Sequence, residues 1–227
     1  MKNTFGNNIC LTIFGESHGA AIGAVIDGLA PGIAVNEEII AGYLARRRPQ
    51  GATDTPRVEK DPFRILSGVR DGRTCGTPIA IMIPNENTKS SDYVYGLARP
   101  SHADYAAYRK YHGYEDFRGG GHFSGRITAA LVAAGGILLP ALEAKGIQIG
   151  THIARCGGIT DRSFDFGSGC SSRGEAGSDI ASLQKKLFPV LDDRLAQKIS
   201  DVIIEAGSRH DSIGGITETA ICGIPAG

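Results

Sequence analysis

Tryptophan is absent from the 227 residues, and neither sign of charge is in excess. Lysine and arginine number 24, as do aspartate and glutamate, so the cationic surplus of a nucleic-acid-binding protein is missing. No apolar run reads as long enough to cross a bilayer, and the N-terminus MKNTFGNNIC lacks the apolar core of a signal peptide. We therefore expect a cytoplasmic protein without membrane or nucleic-acid partners.

Paired cysteines are also missing. The five cysteines are odd in number, and no Cys-x-x-Cys pair occurs among them: Cys10, Cys75, Cys156, Cys170 and Cys222. This spacing supports neither a zinc site nor a disulfide framework, so we expect no metal and a reducing compartment.

Glycine and arginine are abundant. The 32 glycines predict many tight turns and places where the backbone comes close to another group. Arginine outnumbers lysine in the first half of the chain. Because the guanidinium fork matches phosphate and carboxylate, this bias favours a small dianionic ligand over a polymer.

Alternating and apolar segments predict strands at 9–14, 20–27, 63–69, 77–83, 147–153 and 215–224. We expect helices at 37–48, capped by Asn36 and stopped by Pro49, at 127–145 and at about 190–206. Polar, glycine-rich loops are expected at 85–126, where an aromatic content argues for function, and at 157–177. Strands and helices do not alternate strictly, so the predicted class is α+β, in a single domain over residues 1–227.

The sequence GESHG (15–19) is a turn between two predicted strands, with a hydroxyl at Ser17 and a titratable ring at His18. Its glycines would let the backbone approach a ligand. A turn whose histidine is merely solvated explains the same five residues equally well. Its letters match Gly-x-Ser-x-Gly, but we do not expect a nucleophile elbow, because no oxyanion motif accompanies them.

Two further motifs combine cations with a turn. ARRRPQG (45–51) places three arginines at a helix end, where the helix dipole favours cations in any case. In RPSHADY (99–105), Arg99 and His102 lie three residues apart, which suits a site where both address one phosphate. A helix start with incidental basic residues is the alternative.

RGGGHFSGR (118–126) precedes the long apolar helix, whose N-terminal N–H groups would attract an anion. It is not a P-loop, since the Lys-Ser/Thr ending is missing. A flexible linker is the alternative, and Phe123 argues against it. A generic phosphate-binding module built on this loop would leave GESHG and RPSHADY unexplained.

The order GESHG, RRRP, RPSHADY and RGGG-x-x-S-x-R, followed by DSIGG (211–215) and GIPAG (223–227), resembles the chorismate synthase family. The resemblance implies a β-α-β sandwich and a homotetramer. It implies conversion of 5-enolpyruvylshikimate 3-phosphate to chorismate by 1,4-trans elimination of phosphate, with reduced FMN. No dinucleotide fingerprint occurs, so we expect an external flavin reductant.

The resemblance also implies roles for single residues. His18, with Ser17 beside it, matches the histidine next to the flavin, and His102 matches the proton donor to the departing phosphate. Substrate-binding arginines correspond to Arg48, Arg99, Arg126 and, in a looser alignment, Arg57. Flavin contacts correspond to Arg118, His122, Ser124 and Gly125.

The sequence departs from the family at two places. His122 stands where many members have arginine, and the family continues well past GIPAG. We therefore expect the chain to be incomplete at its C-terminus. Two hypotheses follow: a chorismate synthase represented by part of its chain, or a catalytically inactive remnant that only binds an anionic ligand or partner subunits.

Overall fold

The computed structural model describes residues 2–49, 51, 53–54, 59–88, 91, 93–167 and 174–225. By internal contacts the chain divides into two compact units. Unit 1 is Met1–Pro49 with Pro56–Leu138, and unit 2 is Gln50–Thr55 with Leu139–Gly227. The prediction of one domain over the whole chain stays a prediction.

Unit 1 is built on a five-stranded antiparallel sheet in the order β1-β2-β3-β7-β4. The strands and helices along this part of the chain are β1 Thr4–Phe5, β2 Cys10–Gly15, β3 Ala21–Asp27, α1 Glu37–Arg47, β4 Arg64–Ser67, β5 Val69–Arg70, β6 Arg73–Thr74, β7 Ile79–Pro84, α2 Asp104–Tyr111 and α3 Thr128–Glu143. The four predicted strands are confirmed within one or two residues, although 63–69 is divided between β4 and β5.

The sheet explains where the first motif lies. β2 and β3 pair from Cys10 opposite Asp27 to Gly15 opposite Ile22, so GESHG is the turn that joins them. β3 is the central strand, and the apolar side chains on one face of β3 and β7 are fully buried: Ile22, Ala24, Ile26, Ile79, Ile81 and Ile83. Because both strands are fixed by this core, the turn is held on a rigid support.

Helices α1 and α3 complete the core of unit 1. Asn36 is the N-cap of α1 as predicted, and its Oδ1 accepts from the backbone N–H of Glu38 at 2.8 Å. α3 contacts α1 at Gly136, where an added Cβ would lie 2.9 Å from the Cα of Ile40. Only a glycine permits this approach.

One helix among the described residues, Gly125–Glu143, could cross a membrane by length and composition alone. The expectation that no apolar run reaches that length is wrong for this segment. Core helices pass the same test, and six residues of α3 are buried.

Unit 2 has a three-stranded antiparallel sheet in the order β10-β8-β9, with two helices. Its elements are β8 Gln148–Cys156, β9 Ile159–Thr160, α4 Glu175–Leu183, α5 Ala196–Ser208 and β10 Gly215–Cys222. The expected strands at 147–153 and 215–224 are confirmed. The expected helix at 190–206 begins later, because a 3₁₀ turn at Asp193–Leu195 precedes α5.

Helix α4 is missing from our prediction, since its start lies in the glycine- and serine-rich segment 157–177. Its stability comes from packing: Ile180 and Leu183 are buried, and Gly150 of β8 leaves room for the Ile180 side chain. Short helices depend on such tertiary contacts more than on propensity. The cysteine expectation also needs correction, because Cys222 is disulfide-bonded while Cys10 and Cys156 are free.

Unit 2 also buries a charged cluster. His152 on β8 is fully buried, with its Nδ1 3.1 Å from Asp161 Oδ2 and its Nε2 2.8 Å from Glu218 Oε2 on β10. Asp161 also accepts from the backbone N–H of Leu191 at 2.6 Å. The imidazole therefore cross-links the strand pair to the loops beside it.

Candidate functional site

The three successive glycines of RGGGHFSGR form a tight turn in unit 1. Gly119, Gly120 and Gly121 have φ values of 59°, 82° and 54°, in the left-handed region that L side chains rarely adopt. An added Cβ at Gly119 would lie 2.2 Å from His18 Cε1, and one at Gly120 would lie 2.5 Å from His102 Cε1. One backbone turn therefore contacts both motif histidines, which are 84 positions apart in the sequence.

The hydroxyl-bearing and imidazole side chains of the GESHG turn are buried. Ser17 is fully buried and His18 is 9% exposed, so the alternative of a solvated histidine is wrong. Asn85 closes the turn from inside, with its Nδ2 donating to the carbonyls of Glu16 at 2.9 Å and Gly19 at 2.8 Å. The N–H of Ser17 donates to the carbonyl of Gly121 at 3.1 Å, which ties this turn to the glycine turn.

In RPSHADY, a carboxylate joins the arginine and the histidine. Asp104 accepts from Arg99 Nε at 2.8 Å and from Arg99 Nη2 at 2.9 Å, and His102 Nδ1 lies 2.6 Å from Asp104 Oδ1. The hydrogen bond from Arg99 holds the pKa of Asp104 well below its usual range, and the same bond raises the pKa of Arg99. The two basic groups thus form one cluster with a permanent anion.

Tyr93 connects the two motifs, and sequence reasoning did not select it. Its ring meets that of His18 edge to face at a centroid distance of 5.1 Å, and Arg99 Cζ lies 5.2 Å from its centroid. Such an aromatic contact stabilises a cation by about 0.5–2 kcal/mol. A tyrosine in the long polar loop was the only signal, and five other tyrosines of that loop share it.

Two cavities lie beside this cluster. One of about 460 Å³ is lined by the segment from Tyr93 to Arg99 together with Asp104, Phe117 and Gly120. Another of about 400 Å³ is lined by Gly15, Glu16, His122, Phe123 and Gly120, among others. Both have the size and the aromatic lining of small-molecule sites.

The residues around the glycine turn are held by local hydrogen bonds. His122 Nδ1 donates to the carbonyl of Gly15 at 2.8 Å, and Arg118 pairs with Asp116 through Nε at 2.8 Å and Nη2 at 2.7 Å. That pair lowers the pKa of Asp116. Ser124 caps the following 3₁₀ turn, with its Oγ accepting from the N–H of Arg126 at 3.3 Å.

Gly125 and the arginine motif meet at the start of α3. Gly125 has no neighbour within 4 Å of an added Cβ, and its carbonyl accepts from Arg47 Nη2 at 2.8 Å. Of the three consecutive arginines, Arg47 therefore fastens α1 to the loop, and Arg48 is the C-cap residue of α1. Arg57 lies outside the described residues.

Arg126 is placed differently from a ligand-facing cation. Its guanidinium side chain is 3% exposed and donates through Nη1 to Asp61, through Nε to Asn85 Oδ1 at 3.0 Å, and through Nη2 to the Pro84 carbonyl at 3.2 Å. Since Asn85 also holds the GESHG turn, Arg126 is linked to His18 through that side chain. Nothing in the sequence indicated that Asn85 belongs to the site.

Chemically, this arrangement offers an arginine cation, two imidazole rings and flexible glycine backbone around adjoining cavities. Fixed cations and a proton donor favour a reaction in which negative charge develops on a departing oxygen. Among the described residues, no group of three or more histidine, cysteine, aspartate or glutamate side chains could hold a metal ion.

Comparison with known proteins gives one consistent answer. The family model described as "Chorismate synthase" matches residues 9–227. Proteins named chorismate synthase from Sulfurimonas denitrificans, Wolinella succinogenes and Pyrobaculum islandicum are 39%, 42% and 42% identical over 99% of the chain.

The solved structure named "Crystal Structure of Chorismate Synthase" superposes with a TM-score of 0.72 at 26% identity, covering 96% of this chain and 59% of that one. The α+β fold is therefore of the chorismate synthase type. The chain spans about three fifths of the length of the curated relatives, at 60%, 59% and 60%. The motifs, the fold and these matches together establish that the chain belongs to the chorismate synthase family.

Proposed function

We propose that this chain carries the two-histidine part of a chorismate synthase site, which converts 5-enolpyruvylshikimate 3-phosphate to chorismate and phosphate with reduced FMN. The observation that supports this proposal is the glycine turn at 119–121, which contacts His18 on one side and His102 on the other. The proposed elimination needs a proton donor at the departing phosphate and a group beside the reduced flavin that adjoins the same substrate. Two imidazole rings on either side of one backbone turn meet that need.

On this proposal, His102 donates a proton to the departing phosphate, and Arg99 holds phosphate oxygens beside it. General acid catalysis of this kind contributes about 10²- to 10⁴-fold. Arg48 and Arg57 are proposed to bind the substrate's other anionic groups. His18, with Ser17, is proposed to lie against the flavin, where burial keeps its ring from bulk water.

The residues fit a flavin as the family's cofactor. Two cavities with aromatic walls adjoin the Gly119–Gly121 turn, whose backbone lies directly against the rings of His18 and His102. When bound, reduced FMN lends electron density transiently as phosphate leaves. His122, Ser124, Gly125 and Arg118 are proposed to hold the flavin, with His122 oriented by its bond to the Gly15 carbonyl.

For Arg126 we propose an indirect contribution to substrate binding. Its donors face Asp61, Asn85 and Pro84, so its charge acts on the site by fixing Asn85 and, through it, the GESHG turn. An external flavin reductant and a homotetramer complete the proposal, both taken from the resemblance of the sequence to the family.

The test uses the chain anaerobically with chemically reduced FMN and 5-enolpyruvylshikimate 3-phosphate, with chorismate followed by absorbance and substrate binding by calorimetry. His102→Asn is compared with His210→Asn, a matched change at an exposed histidine of unit 2. We expect turnover that falls about 10²-fold or more in His102→Asn and stays unchanged in His210→Asn.

Two other results are informative. Substrate binding that needs Arg99, without turnover, would support the rival function of a chain that binds the anionic ligand only. Absence of both binding and turnover from a folded chain would overturn the proposal.

A further inference from the structure

Asp104 occupies an unusual place at the start of α2. It is the first residue of the helix, yet the N-cap position is Ala103 and no side chain caps the helix. Instead, the Asp104 side chain turns back to the preceding residues and also accepts from the backbone N–H of Arg99 at 3.0 Å. Ser101, between Arg99 and Asp104, has a φ of 60°, in the left-handed region that non-glycine residues rarely adopt. The turn keeps this strained conformation although it gains no helix cap from it.

The contacts of His102 bear on the position of its proton. A carboxylate oxygen can only accept, so the 2.6 Å ion-pair contact between Asp104 Oδ1 and His102 Nδ1 favours a hydrogen on Nδ1. The same oxygen accepts from Arg99 Nη2 at 2.9 Å. Arg99 Nη2 also lies 3.3 Å from His102 Nε2, and Gly120 lies on that side of the ring, with its added Cβ 3.0 Å from Nε2.

We propose that Asp104 is the positioning residue of the proton-donor side of the site: one carboxylate fixes the tautomer and orientation of His102 and, at the same time, the guanidinium fork of Arg99. This inference rests on the proposed function for its catalytic consequence, and on geometry alone for the tautomer. A carboxylate that orients a catalytic imidazole through Nδ1 is known to act without itself changing protonation.

The charges around His102 support this role. Among the described residues, the charged groups in contact with the ring are Arg99, with Nη2 3.2 Å from Nδ1 and 3.3 Å from Nε2, and Asp104. On the other side, the glycine turn presents Gly120, which has no side chain. If the carboxylate were neutralised, the imidazole would face the guanidinium of Arg99 without an anion between them.

Asp104 itself does not titrate near neutral pH. Its pKa is held well below the usual value near 3.9, so its stabilising contribution is present above that value and is lost only as the pH falls through the lower, folded-state pKa. A change in activity between about pH 5 and 9 therefore does not come from Asp104.

The decisive variant is Asp104→Asn, which keeps the size of the side chain and removes its charge. The matched control is Asp192→Asn in unit 2, because Asp192 receives the same three donors from Arg194, at 3.0 Å from N, 2.9 Å from Nε and 2.7 Å from Nη2. Among the described residues, Asp192 and Arg194 have no hydrogen bond or ion pair with a histidine. Asp104→Glu, which restores the charge, is the rescue variant.

The first readout is the tautomer of His102 from ¹⁵N chemical shifts in the substrate-free chain, assigned with His102→Asn. We expect a protonated Nδ1 in the native chain and in Asp192→Asn, loss of that preference in Asp104→Asn, and its recovery in Asp104→Glu. An Nε2–H tautomer in the native chain, or an unchanged tautomer in a folded Asp104→Asn, would overturn the proposal.

The second readout is turnover. We expect kcat to fall about 10²- to 10⁴-fold in Asp104→Asn, as for carboxylates that orient a metal ligand or a catalytic histidine, with a smaller change in KM and partial recovery in Asp104→Glu. An altered tautomer with unchanged kcat would overturn the catalytic part. If the native chain neither bound the substrate nor turned it over, the proposed function would fail, and the tautomer measurement would still decide the role of Asp104.

Discussion

Replacement of Gly120 by alanine is the most direct perturbation of the contact between the glycine turn and the histidine motif. The new Cβ would lie 2.5 Å from His102 Cε1, 3.0 Å from His102 Nε2 and 3.4 Å from Arg99 Nη2. A separation of 2.5 Å is below any normal van der Waals contact. The imidazole must therefore move, or the turn must open.

The expected cost has two parts. The φ of 82° at Gly120 disfavours any L side chain by about 1–2 kcal/mol. Forcing a methyl group against a packed neighbour adds about 1–3 kcal/mol, which gives a total destabilisation of about 2–5 kcal/mol. Gly32→Ala isolates the first part, because Gly32 has a φ of 86° and nothing within 4 Å of an added Cβ.

The assay is urea unfolding followed by tyrosine fluorescence. The chain has seven tyrosines and no tryptophan, and every tyrosine lies between positions 43 and 114, so the signal reports on unit 1. We expect Gly120→Ala to unfold at lower urea than Gly32→Ala and, on the proposed function, to lose about 10²-fold in kcat through displacement of His102. Equal stability and equal activity of Gly120→Ala and Gly32→Ala would refute the contact between the glycine turn and His102.

Two further predictions concern buried ionic groups. Asp61→Asn should destabilise unit 1 by about 3–5 kcal/mol, because it leaves the buried guanidinium of Arg126 without its carboxylate. The matched control is Asp71→Asn, at an exposed aspartate that also has a positive φ. It should change the stability by less than about 0.5 kcal/mol. Equal urea midpoints for Asp61→Asn and Asp71→Asn would contradict this prediction. His152→Leu should lower hydrogen-exchange protection of β8 and β10 by about 3–5 kcal/mol, since two carboxylates lose the donor between them. The control Thr151→Val, on the exposed face of the same strands, should lower the protection by only about 0.2–1 kcal/mol. Equal hydrogen-exchange protection in the two variants would show that the buried imidazole stabilises the strand pair no more than the exposed threonine does.

Local sequence predicted much of the secondary structure. The alternation that predicts β2, β3 and β7 is a consequence of strand geometry, and Asn36 followed by two glutamates is a helix start that needs no distant contact. Helix α4 escaped prediction because its local composition favours a loop. The apolar residues of α4 stabilise a helix only when they pack against β8.

The same distinction applies within the candidate site. The residue types of GESHG, RPSHADY and RGGGHFSGR indicated which side chains carry chemistry, and a resemblance over the whole chain indicated the family. Nothing local revealed that Tyr93 and Asn85 connect these motifs. Nor did anything local reveal that Arg126 is buried against Asp61.

The sequence by itself determined the family, the α+β class and the motif residues, because these depend on residue identity and on order along the chain. Only the tertiary structure decided which motifs meet. Contacts between residues such as His18 and Gly119, or Arg126 and Asp61, join positions that lie 101 and 65 apart in the sequence. That packing determines which side chains are buried, which charges pair, and how closely the rings of His18 and His102 approach one glycine turn. No periodicity in the sequence predicts these contacts.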